Sequence, residues 1–188
     1  MKSFYYIITV VFLSVTAGAG CSVSKMLVGH VDAVDQKSST ISITPLEMID
    51  PHWKRIEISD SVVNSNENPD RAWQSSKTAS VISLDSACRQ RNDVTQNYAE
   101  MALKDITADL LSQWTHIEHL SEQEIVFSGF PAFETSAEGN YYGRKRKFQT
   151  IVVKTPTCIY DLIFLSPPKS YTQDLTIFQK FRDKLIIK

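Results

Sequence analysis

The chain carries no excess of charge: 20 Lys and Arg stand against 21 Asp and Glu over 188 residues, a formal net charge of −1. That balance argues against a nucleic-acid binder, whose domain is ordinarily basic along one face or helix. The short motifs that carry familiar chemistry are missing too. There is no His-Glu-x-x-His, no phosphate-binding loop and no Gly-rich dinucleotide fingerprint. Gly139 to Lys147 has two glycines and basic residues, but no Gly-Lys followed by Ser or Thr at the required spacing. Ser128 sits in Phe-Ser-Gly-Phe and lacks the Gly-x-Ser-x-Gly elbow that exposes a nucleophile. Internal repeats and low-complexity tracts are absent. A non-enzymatic protein without a cofactor is therefore expected, because the candidate groups fail on type and spacing.

Long apolar runs are scarce as well. Phe4 to Val15 is an apolar and hydroxyl stretch behind Lys2, shorter than the roughly 20 apolar residues a comfortable membrane span needs. With the small residues Ala17-Gly18-Ala19-Gly20 after it, the segment reads as a cleaved signal peptide, residues 1–20. Gly18-Ala19-Gly20-Cys21 resembles the lipobox of bacterial lipoproteins, with Gly18 where that family usually has Leu. The resemblance implies that Cys21 becomes the first residue and carries a diacylglyceryl thioether and an N-acyl group. Two or more acyl chains give a stable anchor where one binds only marginally. Ser22, rather than an acidic residue, follows the cysteine, which by the same resemblance points to the periplasmic face of the outer membrane. The alternative is an ordinary secretory cut that leaves Cys21 as a free or paired thiol.

Cysteine is sparse. With Cys21 assigned to lipid, Cys88 and Cys158 remain as an even pair in an oxidising compartment, where they can bridge. The other reading is two separate buried thiols, since Cys is among the most buried residue types.

What is present is a changing apolar period. Residues 21–39 read as a lipidated tether, and residues 40–188 as a single domain of ordinary size, large enough to bury a core. "TISITP" alternates and stops at Pro45; "PHWKRIEISDSVV" places Trp53, Ile56, Ile58 and Val62 nearer to strand period; Asn64 to Asp70 is a loop by composition. "RAWQ" and "ASVISLDSAC" read as two further strands. From Asn92 to Trp114 the apolar positions Val94, Tyr98, Met101, Ile106, Leu110 and Leu111 recur at threes and fours, which predicts an amphipathic helix. Between Gln123 and Pro168 come three strand-like runs punctuated by Gly-Phe-Pro, Glu-Gly-Asn and Thr-Pro-Thr, with Gly139-Asn140 as a turn. Phe148, Ile151, Val152 and Val153 predict a central strand with core on both sides, and "CIYDLIFL" is the most apolar segment of the domain. Tyr171, Leu175, Phe178, Phe181 and Leu185 predict a terminal helix behind Pro167-Pro168. Strands, helix, strands, helix is an α+β order.

That order, with "SVISLDSAC" leading into a long helix and "CIYDLIFLSPP" ahead of a terminal "F..F" helix, resembles bacterial envelope lipoproteins with a PsbP-like domain. The resemblance spans most of residues 40–188. It implies an antiparallel sheet with helices packed on it, and an accessory or binding role without catalytic residues.

Two features remain to be weighed. His116 and His119 are spaced to share a face near a helix end, but a structural zinc takes four ligands and a catalytic one three, so these residues are expected to be polar groups in an exposed helix exit and not metal ligands. Arg144-Lys145-Arg146-Lys147 is the strongest charge run. In a strand it would split, Arg144 and Arg146 to one face and Lys145 and Lys147 to the other. It then reads as solvated gatekeepers beside the sticky Phe148 to Val153 segment, or as a contact for an anionic partner such as lipid head groups. The expected function is a lipid-anchored periplasmic accessory or binding module of the cell envelope, with the membrane and an envelope protein as partners. The alternative is a carrier of a small apolar or lipid ligand between sheet and helices, against which stand the bulky Trp53, Trp73, Phe148, Phe164, Phe178 and Phe181.

Overall fold

The computed structural model describes residues 41–56, 70–88 and 102–188. Within these the chain forms β1 (Ile41–Ser42), a 3-10 turn (Leu46–Met48), β2 (Trp53–Arg55), β3 (Arg71–Ser75), β4 (Val81–Cys88), α1 (Leu103–Leu111), β5 (Trp114–Phe127), β6 (Phe130–Tyr141), β7 (Arg144–Lys154), β8 (Cys158–Ser166), α2 (Tyr171–Arg182) and β9 (Ile186–Ile187). Seven strands make one sheet in the order β2-β3-β4-β8-β7-β6-β5, and every pairing in it is antiparallel. β1 and β9 pair separately, Ile41 opposite Ile187. The signal peptide, Cys21 and the tether expected over residues 1–39 lie outside the described residues, as do Ile58, Val62 and the first half of the expected helix.

The strand period sorts side chains onto two faces. On one face Ile82 and Leu84 of β4, Ile151 and Val153 of β7, and Tyr160, Leu162 and Phe164 of β8 meet Phe178 and Phe181 of α2, with Leu46 and Trp53 beside them. Phe164 stacks on Phe178 at 5.2 Å between ring centroids, and Trp73 meets Phe181 edge-on at 5.1 Å. On the other face Phe148, Val152, Ile159 and Ile163 are covered by Ile106 and Leu110 of α1, beside Trp114 and Tyr141. β8 is buried almost throughout because both its faces are covered, which is why its sequence is a near-continuous apolar run. A polar cluster fixes α2: Asp174 Oδ2 accepts hydrogen bonds from Thr78 Oγ1 and Ser80 Oγ at 2.5 and 2.6 Å, and Ser166 Oγ lies 2.8 Å from Ser80 Oγ. The buried carboxylate also sits in the first turn of α2, where the helix dipole favours negative charge.

Three sequence expectations are corrected here. The helix ends at Leu111, and Trp114 opens a 14-residue strand instead of closing the helix. His116 and His119 therefore stand in β5, not in a helix exit. The segment after Gln123 holds parts of four strands, and Glu138-Gly139-Asn140 lies inside β6. The reversal comes later, at Tyr142-Gly143, between the paired residues Tyr141 and Arg144. Both have positive φ, 47° and 72°, which is the two-residue hairpin turn whose twist matches that of the flanking strands. Gly139 has a different role: a Cβ there would lie 3.2 Å from both Thr115 O and Trp114 Cε3, so glycine lets the start of β5 close on β6.

Candidate functional site

The wing of the sheet formed by β5, β6 and the start of β7 differs from the rest. β5 is an edge strand and is exposed along most of its length, with Trp114 its single buried residue. Its pairing with β6 slips twice, between Thr115 and Glu118 and between Glu118 and Ser121, before seven consecutive pairs run from Ser121–Ser136 to Phe127–Phe130. His116 and His119 sit at these irregularities with φ of 52° each. Bulges of this kind bend an edge and interrupt its availability for pairing. Both histidines are exposed, and among the described residues no group of three or more His, Cys, Asp or Glu side chains gathers as a metal site would require.

The basic run lies at the start of β7 and divides as strand geometry dictates. Lys145 and Lys147 turn to the face that carries Glu138, reaching it at 2.9 and 3.0 Å, and Lys145 also approaches Glu118 at 3.6 Å. The lysines hold the Glu138 carboxyl below the usual carboxylate range, and Glu138 in turn raises Lys145. Lys147 additionally lies over the Tyr171 ring, 5.5 Å from its centroid. Lys145 and Lys147 are thus engaged within the sheet. Next along β6, Glu134 accepts hydrogen bonds from Gln123 and Gln149 and lies 3.9 Å from Arg182, joining the wing to the end of α2.

Cys88 and Cys158 form a disulfide, as the even pair suggests. They close β4 and open β8 and are direct cross-strand partners, with Cα atoms 4.0 Å apart. Thr155 supports the junction: its N–H donates to Cys158 O, and its hydroxyl accepts from Cys158 N–H at 2.9 Å. The sulfurs are buried, which removes Cys158 from consideration as an exposed nucleophile.

Sequence reasoning missed one polar feature. Asp85 of β4 and Asp161 of β8 are direct partners in the sheet and both are buried, on the α1 face. Asp161 Oδ1 accepts a hydrogen bond from Thr150 Oγ1 at 2.7 Å; its Oδ2 has no hydrogen-bond partner among the described residues. Burial, opposed by the Thr150 hydrogen bond and reinforced by the negative field of Asp85, raises the Asp161 carboxyl to about 7. The signal was in the sequence: an Asp in the middle of "CIYDLIFL" must be buried if its neighbours are, and buried carboxyls neutralise or find partners.

No family model matches the chain, and no curated protein matches it by sequence. Solved structures do. LpqN of Mycobacterium tuberculosis, described as involved in cell envelope biogenesis, superposes with a TM-score of 0.55 at 11% identity over 80% of this chain and 84% of its own. The cyanobacterial PsbP of Synechocystis, CyanoP, superposes with a TM-score of 0.51 at 10% identity over 85% of this chain and 98% of its own. The domain has a PsbP-like fold. Identities this low establish architecture alone, and the sites of a PsbP-like domain have to be argued from its own residues.

Proposed function

We propose that the protein is a lipid-anchored accessory module of the bacterial cell envelope, facing the periplasm from the outer membrane, that binds a protein partner and catalyses no reaction. The observation that carries this reading is the contrast between the two halves of the sheet. β8 and the second half of β7 are buried on both faces, with Trp53, Phe148, Phe164, Phe178 and Phe181 almost wholly buried around them. The edge strand β5 is long, exposed and charged. A core filled in this way favours a rigid scaffold over a ligand carrier, and a wing of this kind suits recognition. The envelope setting is supported by the lipobox-like Gly18-Ala19-Gly20-Cys21, by the Cys88–Cys158 disulfide, which suits an oxidising compartment, and by the PsbP-like architecture shared with LpqN.

The test is fractionation of cells producing the full chain, followed by affinity purification from their membranes. The intact protein should sediment with outer membrane and carry acyl chains by intact mass, and Cys21→Ala should release it to the soluble periplasm. Membrane association unchanged by that substitution, or a mature mass without acyl groups, refutes the anchor.

A further inference from the structure

We propose that the regular half of β5, Ser121–Phe127, accepts an added β-strand from a partner segment that carries Lys or Arg at alternate positions. This deepens the binding-module reading and rests on it for biological meaning, but its chemistry is independent of where the protein resides.

The edge is open: β5 is the last strand of its sheet, and among the described residues nothing pairs on its outer side. The protective irregularities are confined to its first half, whereas Ser121–Phe127 keeps an unbroken register with β6. The phase of the backbone follows from alternation along an antiparallel ladder. The Cys88–Cys158 separation of 4.0 Å marks a close, non-hydrogen-bonded pair, and the 2.9 Å bond from Ile56 N–H to Ala72 O fixes the same phase from the far edge. Carried across β8, β7 and β6 through their registers, that phase directs the N–H and C=O of Glu122, Glu124 and Val126 away from β6, toward the open edge.

The side chains of those same three residues choose the occupant. Glu122 lies on the α1 side, where it meets Lys104 at 3.6 Å, and Glu124 and Val126 share its face, exposed. A second copy adding antiparallel about Gln123 would set Glu122 against Glu124 twice, and like charges directly opposed in a sheet are destabilising. A strand adding antiparallel, with an apolar residue followed by Lys or Arg at alternate positions, places an apolar contact on Val126, which is 77% exposed, and cations opposite Glu124 and Glu122. The acidic edge thus works against self-pairing and for a basic partner at once.

The test uses the full chain and two synthetic seven-residue peptides, one beginning with Val and then alternating Thr and Lys, the other with Glu in place of Lys. The Lys peptide should bind and slow amide exchange at Glu122, Glu124 and Val126, while the Glu peptide should not. The double variant Glu122→Lys, Glu124→Lys should weaken the Lys peptide roughly tenfold and admit the Glu peptide. Val126→Pro removes one outward N–H and nothing that bonds β6, a substitution an edge strand tolerates. It should leave the melting temperature nearly unchanged and weaken the Lys peptide several-fold. Binding that ignores Val126→Pro, exchange protection elsewhere in the chain, or a dimer dispersed by that variant would each overturn the proposal. None of these outcomes bears on the lipid anchor, and a failed anchor leaves them standing.

Discussion

Replacing Asp161 with Asn should make the protein more stable above neutrality and nearly indifferent below pH 4. The carboxyl is buried on β8 opposite Asp85, with one oxygen held by Thr150 and the other without a hydrogen-bond partner among the described residues, so its charged form is disfavoured and its pKa is pushed up to about 7 from an ordinary 3.8. Between those two values the folded chain holds a proton that the unfolded chain releases. Stability from this group is therefore fully present below pH 3.8 and is lost as pH rises toward 7. A difference of about 3 pH units at ~1.4 kcal/mol each gives on the order of 4 kcal/mol as the largest loss. That corresponds to roughly 10 °C in melting temperature for a domain of this size. Glu138 is shifted in the opposite sense, so the informative quantity is the difference between variant and wild type. Asn keeps an acceptor for Thr150 and carries no charge at any pH, which makes it the mimic of the protonated acid. Urea unfolding from pH 4 to 8 should show the Asp161→Asn curve rising relative to wild type from pH 4 to about 7 and levelling off above it. Parallel curves would refute the claim that Asp161 is held neutral by its surroundings.

Two further outcomes follow from the same half of the sheet. The Cys88–Cys158 bond closes a sequence separation of 70 residues, worth about 4 kcal/mol in the chain-entropy account, so reduction should lower the melting temperature by roughly 10 °C, and thiol titration of the non-reduced protein should find neither cysteine. Asp174→Ala leaves the Thr78 and Ser80 hydroxyls without their charged acceptor and should cost about 2–3 kcal/mol in denaturant unfolding, while Asp174→Asn, which keeps one acceptor, should cost less.

The elements most legible in the sequence were those with a face or two in the core. β4, β7, β8 and α2 were read in place because burial imposes a period of two, a continuous apolar run, or a repeat at threes and fours, although the expected terminal helix ran on to Leu185 and the structure ends it at Arg182, ahead of β9. The first half of β5 was illegible for the converse reason. "THIEHLSEQE" is wet on both faces, so no alternation is imposed, and Leu110, Leu111 and Trp114 extended a helical spacing past its true end at Leu111. The turn was misplaced because Gly139-Asn140 has turn chemistry, while glycine is needed there for close approach to Thr115 and Trp114. The division of Arg144 to Lys147 between two faces was foreseeable from strand geometry. That Glu138 would bind both lysines required knowing the register of β6 with β7.

Stability and recognition occupy different strands, and the sheet order shows why they can. The disulfide and the Asp85–Asp161 pair lie on β4 and β8, the two strands joined by eight consecutive pairs, whereas the open edge is β5, three strands beyond β8. At roughly 4.8 Å per strand that is about 14 Å, past the range at which perturbations without shared partners usually couple. The wing pays for its exposure with polar pairs of small individual worth, such as Lys145–Glu138 and Lys104–Glu122, since surface ion pairs are weakened by water and by the ordering of long side chains. Charge on the edge is therefore free to be set by what must bind there and what must not, because little of the fold's stability depends on it. The buried half has the opposite freedom: it can carry one costly carboxyl at Asp161, since a covalent bond at Cys88–Cys158 and the apolar layer on the α2 face hold the same two strands together.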